Sequence, residues 1–194
     1  SKRSTQITGK TELEQDGSNL PIVLKNILSN RKDRSRMYKL TKELLPFIED
    51  ISVEKLKDKS LLTSLREIYS DKFLPAPLIS DGTINITAMI IALYFEKKPF
   101  IIFEEPERNI HPNLISKIVE MMKDVSDRLN KQIIITTHNS WIVKYAGVEN
   151  LLFIYRDSKG FSRILRPIEK NEITVFLKNK MGIDELYVQN LLAW

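Results

Sequence analysis

The sequence predicts an α/β fold whose centre is a parallel sheet flanked by helices. Two short segments, the wholly apolar PFIIF at 99–103 and the apolar-centred QIIITTH at 132–138, predict strands. Strands that are buried on both faces have this texture, whereas half-exposed strands alternate. Between them, residues 112–129 carry Leu114, Ile118, Met121, Met122, Val125 and Leu129 at helical spacing, with Pro112 in the first turn. Strand, helix, strand in that order is the unit that builds parallel sheets.

The other elements follow along the chain. Residues 1–19 are polar and predict a loop or a loose strand. Ser18 ahead of Pro21 marks a helix start, and Leu20, Leu24, Ile27 and Leu28 form its apolar stripe. A second amphipathic helix over 33–48 sets Met37, Leu40, Leu44 and Ile48 on one face. ISVEKL and LLTSLREIY, separated by KDKS, predict a hairpin. INITAMIIALYF is apolar all round and predicts a buried helix. LLFIYR, DSKG and FSRILR predict a second hairpin, and GIDELYVQNLL a last helix.

At 194 residues the sequence predicts a single domain over 1–194, with 17–50 as a helical insertion or arm and 72–194 as the core. The apolar content of 42% supplies that core. There is no cysteine, which excludes disulfides and thiolate metal sites and leaves two histidines for imidazole chemistry. No apolar run approaches bilayer length and no signal-peptide pattern opens the chain, so the expectation is a cytoplasmic protein with no membrane partner. A net charge of +5 is compatible with polyanion contact and does not require it.

PFIIFEEPERNIHP, 99–112, drives four apolar residues into a core and ends them on Glu104 and Glu105. Adjacent carboxylates repel each other and resist dehydration, so such a strand end calls for a cation, a water or a partner. Ligands of parallel sheets gather beyond the carboxyl ends of the strands, where Thr136, Thr137 and His138 also fall. One carboxylate there can hold Mg²⁺ and a second can deprotonate water, while a histidine can donate to a phosphoryl oxygen. Taken singly, the acids could merely lead into a helix, His138 could be structural, and SDGT is a common turn.

Four motifs in order carry a resemblance. ISDGT (79–83) is similar to an ABC signature, FIIFEEPE to a Walker B strand, NIHP to a D-loop and IIITTHNS to a switch-histidine strand. Together with DGSNLPIVLKNIL and GIDELYVQNLLAW, they make nearly the whole chain resemble the carboxyl-terminal half of an ABC-class, P-loop NTPase-like ATPase domain. The branch is that of predicted ATPases related to RecF and SMC proteins and to the overcoming-lysogenization-defect nucleases. The resemblance implies ATP and Mg²⁺ as cofactors, Glu104 in the magnesium shell, Glu105 as catalytic base and His138 as γ-phosphate sensor. It further implies that Ser80, Asp81, Gly82 and Thr83 meet the nucleotide of another subunit, and that Asn109 and His111 lie against that partner in a head-to-tail homodimer. For His111 a role in helix entry is an equal alternative.

A phosphate loop needs G-x-x-x-x-G-K-[ST] between a strand and a helix. TGKT at 8–11 has Ser4 in place of the first glycine, with neither an apolar strand before it nor an amphipathic helix directly after. The expected partner is therefore a P-loop-bearing half, without which the chain is expected to be inactive. The implied setting is DNA maintenance or phage defence, with DNA and a nuclease or toxin as further possible partners. The rival reading is a non-catalytic module that binds nucleic acid or protein, favoured by the basic run Arg31, Lys32, Arg34, Arg36, Lys39 and Lys42. That run also fits the solvated face of a helix. A metal-dependent nuclease is the weakest reading, since no separate carboxylate cluster is in view.

Overall fold

The computed structural model describes residues 2–7, 9–169 and 182–188. Helices α1 (Leu20–Ser29) and α2 (Arg31–Leu44) lead into an antiparallel sheet of β1 (Ile48–Lys55), β2 (Leu61–Glu67) and β3 (Phe73–Pro75), in the order β1-β2-β3. Helix α3 (Asp81–Tyr94) is followed by β4 (Phe100–Glu104), α4 (Ile115–Leu129), β5 (Gln132–Thr136) and α5 (Ser140–Ala146). A hairpin of β6 (Phe153–Arg156) and β7 (Ser162–Leu165) precedes α6 (Ile183–Val188). The sequence-predicted final helix extends beyond Val188, outside the described residues.

Strands β4 and β5 pair in parallel, from Phe100 opposite Gln132 to Glu104 opposite Thr136. Their crossover is α4, which starts after a 3-10 turn at Pro112–Leu114 and ends on Asn130 in the left-handed conformation, a common helix stop. Lys131, directly after, is buried, and its Nζ donates to the carbonyls of Leu93 (2.9 Å) and Glu96 (2.5 Å), tying the end of α3 to the start of β5.

A single apolar cluster joins Leu20 and Leu24 of α1, Met37 and Leu44 of α2, Ile51 and Leu65 of the first sheet, and Ile90 and Ile91 of α3. Helix α3 buries nine residues around its circumference, as its sequence predicts. Helices α1 and α2, within the 17–50 segment, thus contribute to this shared core.

Two expectations need correction. Helix α2 ends at Leu44, because Pro46 disfavours helical backbone at Leu45, and Ile48 opens β1 instead of completing a helical stripe. The parallel sheet is also not covered on both faces by the described residues. Ile101, Phe103, Ile133 and Ile135 pack against the core, whereas Phe100, Ile102 and Ile134 on the opposite face are exposed, Ile102 to 61%. Two elements escaped the sequence reading: the three-residue β3, and α5, whose start is capped by the Asn139 side chain accepting from Trp141 N (2.9 Å).

Candidate functional site

The parallel register brings the acid doublet and the histidine to one end of the sheet. Glu104 is paired with Thr136, and the amide of Glu105 donates to the Thr136 carbonyl at 2.9 Å. His138 follows two residues later and is exposed, as is Glu104, while Glu105 is half-buried. Glu104 continues the row of Phe100 and Ile102, so it stands on the uncovered face of the sheet.

Glu105 departs from the strand. Its φ is +44°, and four residues on Asn109 has φ +62°. Left-handed backbone at residues other than glycine is uncommon and persists where surrounding contacts impose it. Here the turn between them closes with Arg108 N donating to Glu105 O and Ile110 N to Glu107 O, both at 3.0 Å. Both positions coincide with residues that the motifs single out.

Glu107 and Thr137 form a contact that sequence reasoning missed. Thr137 Oγ1 donates to Glu107 Oε1 at 2.5 Å and accepts from Asn139 N at 3.0 Å. The loop after β4 is thus clasped to the segment carrying His138. Glu107 Oε2 is buried and has no hydrogen-bond partner among the described residues, an oxygen that calls for a donor. Only the acidic character of EEPE hinted at this.

The signature turn is locked to the same loop. Ser80 caps α3, its Oγ accepting from Thr83 N (3.1 Å) and lying 2.7 Å from Thr83 Oγ1. Thr83 is buried in this cap, whereas Ser80 and Asp81 are exposed, and Asp81 pairs with Lys2 Nζ at 2.9 Å. Gly82 is required by close approach: a Cβ there would sit 2.2 Å from the carbonyl oxygen of Asn109. Asn85 Nδ2 adds a bond to Arg108 O at 3.2 Å. A continuous line of contacts therefore runs from Ser80 through Asn109 and Glu107 to Thr137, beside His138.

His111 has a structural task, since its Nδ1 accepts from Asn113 N (3.3 Å) at the entry to the 3-10 turn. Around the TGKT motif the described residues do not form the strand–loop–helix setting of a phosphate loop. The motif's lysine is engaged with Glu14 Oε1 at 2.6 Å, and neither a strand before it nor a helix directly after it is present among the described residues. Those residues also contain no group of three or more potential metal ligands.

Residues 10–144 match the family model AAA_21, described as "AAA domain, putative AbiEii toxin, Type IV TA system". The chain belongs to this family. The fold of the AAA_21 chain is also similar to that of SMC structures, several of them Smc head domains. One such structure, titled for ATP-driven dimerization and DNA-stimulated activation of SMC ATPases, superposes with a TM-score of 0.54 at 14% identity. That match covers 78% of this chain and 96% of that one. An Smc head with a coiled coil and joint from Pyrococcus yayanosii gives 0.54 at 17% identity, over 86% of this chain and 32% of the other. An Smc head bound to the C-terminal winged-helix domain of ScpA gives 0.55 at 15%, over 75% and 48%. A probable ABC transporter ATP-binding protein, PEB1C of Campylobacter jejuni, is 33% identical over 48 residues, or 25% of this chain. The match spans 20% of that relative's length.

Proposed function

We propose that this chain is the lobe of an ATP-hydrolysing domain that supplies the catalytic acid doublet, the switch histidine and the signature turn. The carrying observation is the parallel register of β4 and β5, which sets Glu104 and Glu105 beside the segment leading to His138. In this reading the Glu105 carboxylate takes the proton of the attacking water, and His138 donates a hydrogen bond to the terminal phosphoryl oxygen. The Glu107–Thr137 clasp links the loop that carries Glu105 to the segment that carries His138. Ser80, exposed at the cap of α3, meets the nucleotide of a second copy at the amino end of that helix. Asn109 lies at that same junction, and Asp81 and Gly82 complete the turn.

The donor set suits magnesium held in the manner usual for nucleotide enzymes, by one or two carboxylates together with waters and phosphate oxygens. Glu104 would hold it. The ion would supply charge neutralisation at the transferring phosphoryl group.

A P-loop-bearing half completes the site. The uncovered face of the parallel sheet supports this, because Phe100, Ile102 and Ile134 form an apolar strip ending at Glu104, so whatever covers the strip stands next to that carboxylate. A head-to-tail homodimer, with DNA maintenance or phage defence as its setting, is the assembly the SMC-like fold suggests.

The test is Glu105→Gln in the protein joined to its P-loop half. The expected result is a loss of turnover of about 10²-fold or more, the scale of a missing general base, with ATP-bound dimer accumulating. Hydrolysis at the wild-type rate would remove Glu105 from the chemistry.

A further inference from the structure

Away from the strand-end site, α2 and the first sheet border a shallow, open cleft of ≈460 Å³. The helix reads RKDRSRMYKLTKEL and buries Met37, Leu40, Thr41 and Leu44, which turns its basic residues outward. Arg34, Lys39 and Lys42 line one wall of the cleft, and Arg66 of β2 lines the other. Two acids, Glu49 and Asp50 of β1, share the lining, so its cations outnumber its anions.

The acids engage Arg66 and leave the lysines unpaired. Asp50 Oδ1 accepts from Tyr38 Oη and from Ile51 N (2.8 Å), which commits that oxygen to the fold. Arg66 Nη2 makes long ion pairs with Glu49 Oε2 (3.6 Å) and Asp50 Oδ2 (3.7 Å), outside hydrogen-bonding distance, and its guanidinium lies 5.5 Å from the Phe73 ring centre. Its Nε is buried with no hydrogen-bond partner. Lys39 and Lys42 make no ion pair among the described residues. Arg34 is held at the mouth, its guanidinium 5.5 Å from the Tyr38 ring centre and Nη2 3.3 Å from Tyr38 Oη.

A second cleft gives the contrast. It is lined by Lys10 and Lys98 with Glu12, Glu14 and Asp16, and there Lys10 pairs with Glu14 and Lys98 with Glu12. The excess of cations, the unpaired Lys39 and Lys42 and the unbonded Arg66 Nε distinguish the α2 cleft.

We propose that the cleft between α2 and the β1–β2 hairpin binds phosphodiester groups of a nucleic-acid backbone. Arg66 would donate to one phosphate at the cleft floor, while Lys39 and Lys42 neutralise its neighbours. Arg31 and Lys32 extend the basic row along the same helix, which suits a polymer better than a single phosphate. Tyr38, the ring in the cleft lining, is half-buried and hydrogen-bonded to Asp50, so contacts within the cleft go to the backbone and are independent of sequence. This inference stands apart from the ATPase reading and survives its failure.

The experiment is fluorescence anisotropy of the full chain with a labelled DNA duplex of about 30 base pairs across a salt series, beside Lys39→Gln/Lys42→Gln and Arg66→Gln. The double variant is expected to bind about 10-fold or more weakly, with a log–log salt slope shallower by about two, one counterion per lost contact. Arg66→Gln is expected to weaken binding with a slope change of about one. Lys117→Gln on α4 serves as the control and should match wild type. Circular dichroism establishes that each variant is folded. Competition by inorganic phosphate or ATP should need far higher concentrations than competition by unlabelled duplex. Undetectable duplex binding at low salt, or unchanged affinity in the double variant, overturns the proposal. Displacement of the duplex by inorganic phosphate or ATP at matching concentrations overturns it too, in favour of a small-anion site.

Discussion

The two faces of the β4–β5 sheet carry almost the same residue types and meet opposite environments. Ile101, Phe103, Ile133 and Ile135 pack on a core built from four helices and the antiparallel sheet. Phe100, Ile102 and Ile134, one residue out of phase, are open among the described residues. Hydrophobicity alone does not say which face is satisfied; that depends on what the rest of the chain lays against it. Glu104 lies in line with the open face, and the functional reading turns on this difference.

The comparison breaks most readily on the inner face. Phe103→Ala should destabilise the chain by about 3 kcal/mol, since it removes an aromatic ring packed against the core and leaves a cavity. Urea titration with an unchanged m-value would measure it. On the outer face, Ile102→Ser should alter the stability of this chain by no more than about 0.5 kcal/mol, as for other exposed substitutions. The same change should weaken association with a P-loop-bearing half, measured by co-purification or calorimetry. Equal losses of stability at Phe103 and Ile102 would erase the distinction between the faces.

Much of this arrangement was legible in the residues. The order of the ISDGT turn, the FIIFEE strand and the IIITTH strand anticipated a parallel pair ending in acids and histidine, and the register bears that pairing out. The pattern of α3, apolar on every side, announced a buried helix. What stayed hidden depends on distance in space. Glu107 and Thr137 belong to different strand ends, so no local pattern joins them. Gly82 suits close backbone approach, but that the Asn109 carbonyl is what comes close depends on a residue 27 positions away. The open face was misread for a related reason: a strand apolar at every position predicts two covered faces, whatever chain supplies the covering. Ile48 fell at helical spacing by coincidence, and the break imposed by Pro46 outweighed it.

The most direct measurement is the structure of the completed domain with a non-hydrolysable ATP analogue and magnesium. The account predicts the terminal phosphate between Glu105 and His138 of one copy and Ser80 of the other, with the apolar strip of Phe100, Ile102 and Ile134 covered by the P-loop half. A nucleotide bound away from the ends of β4 and β5, with that strip still facing solvent, would contradict it.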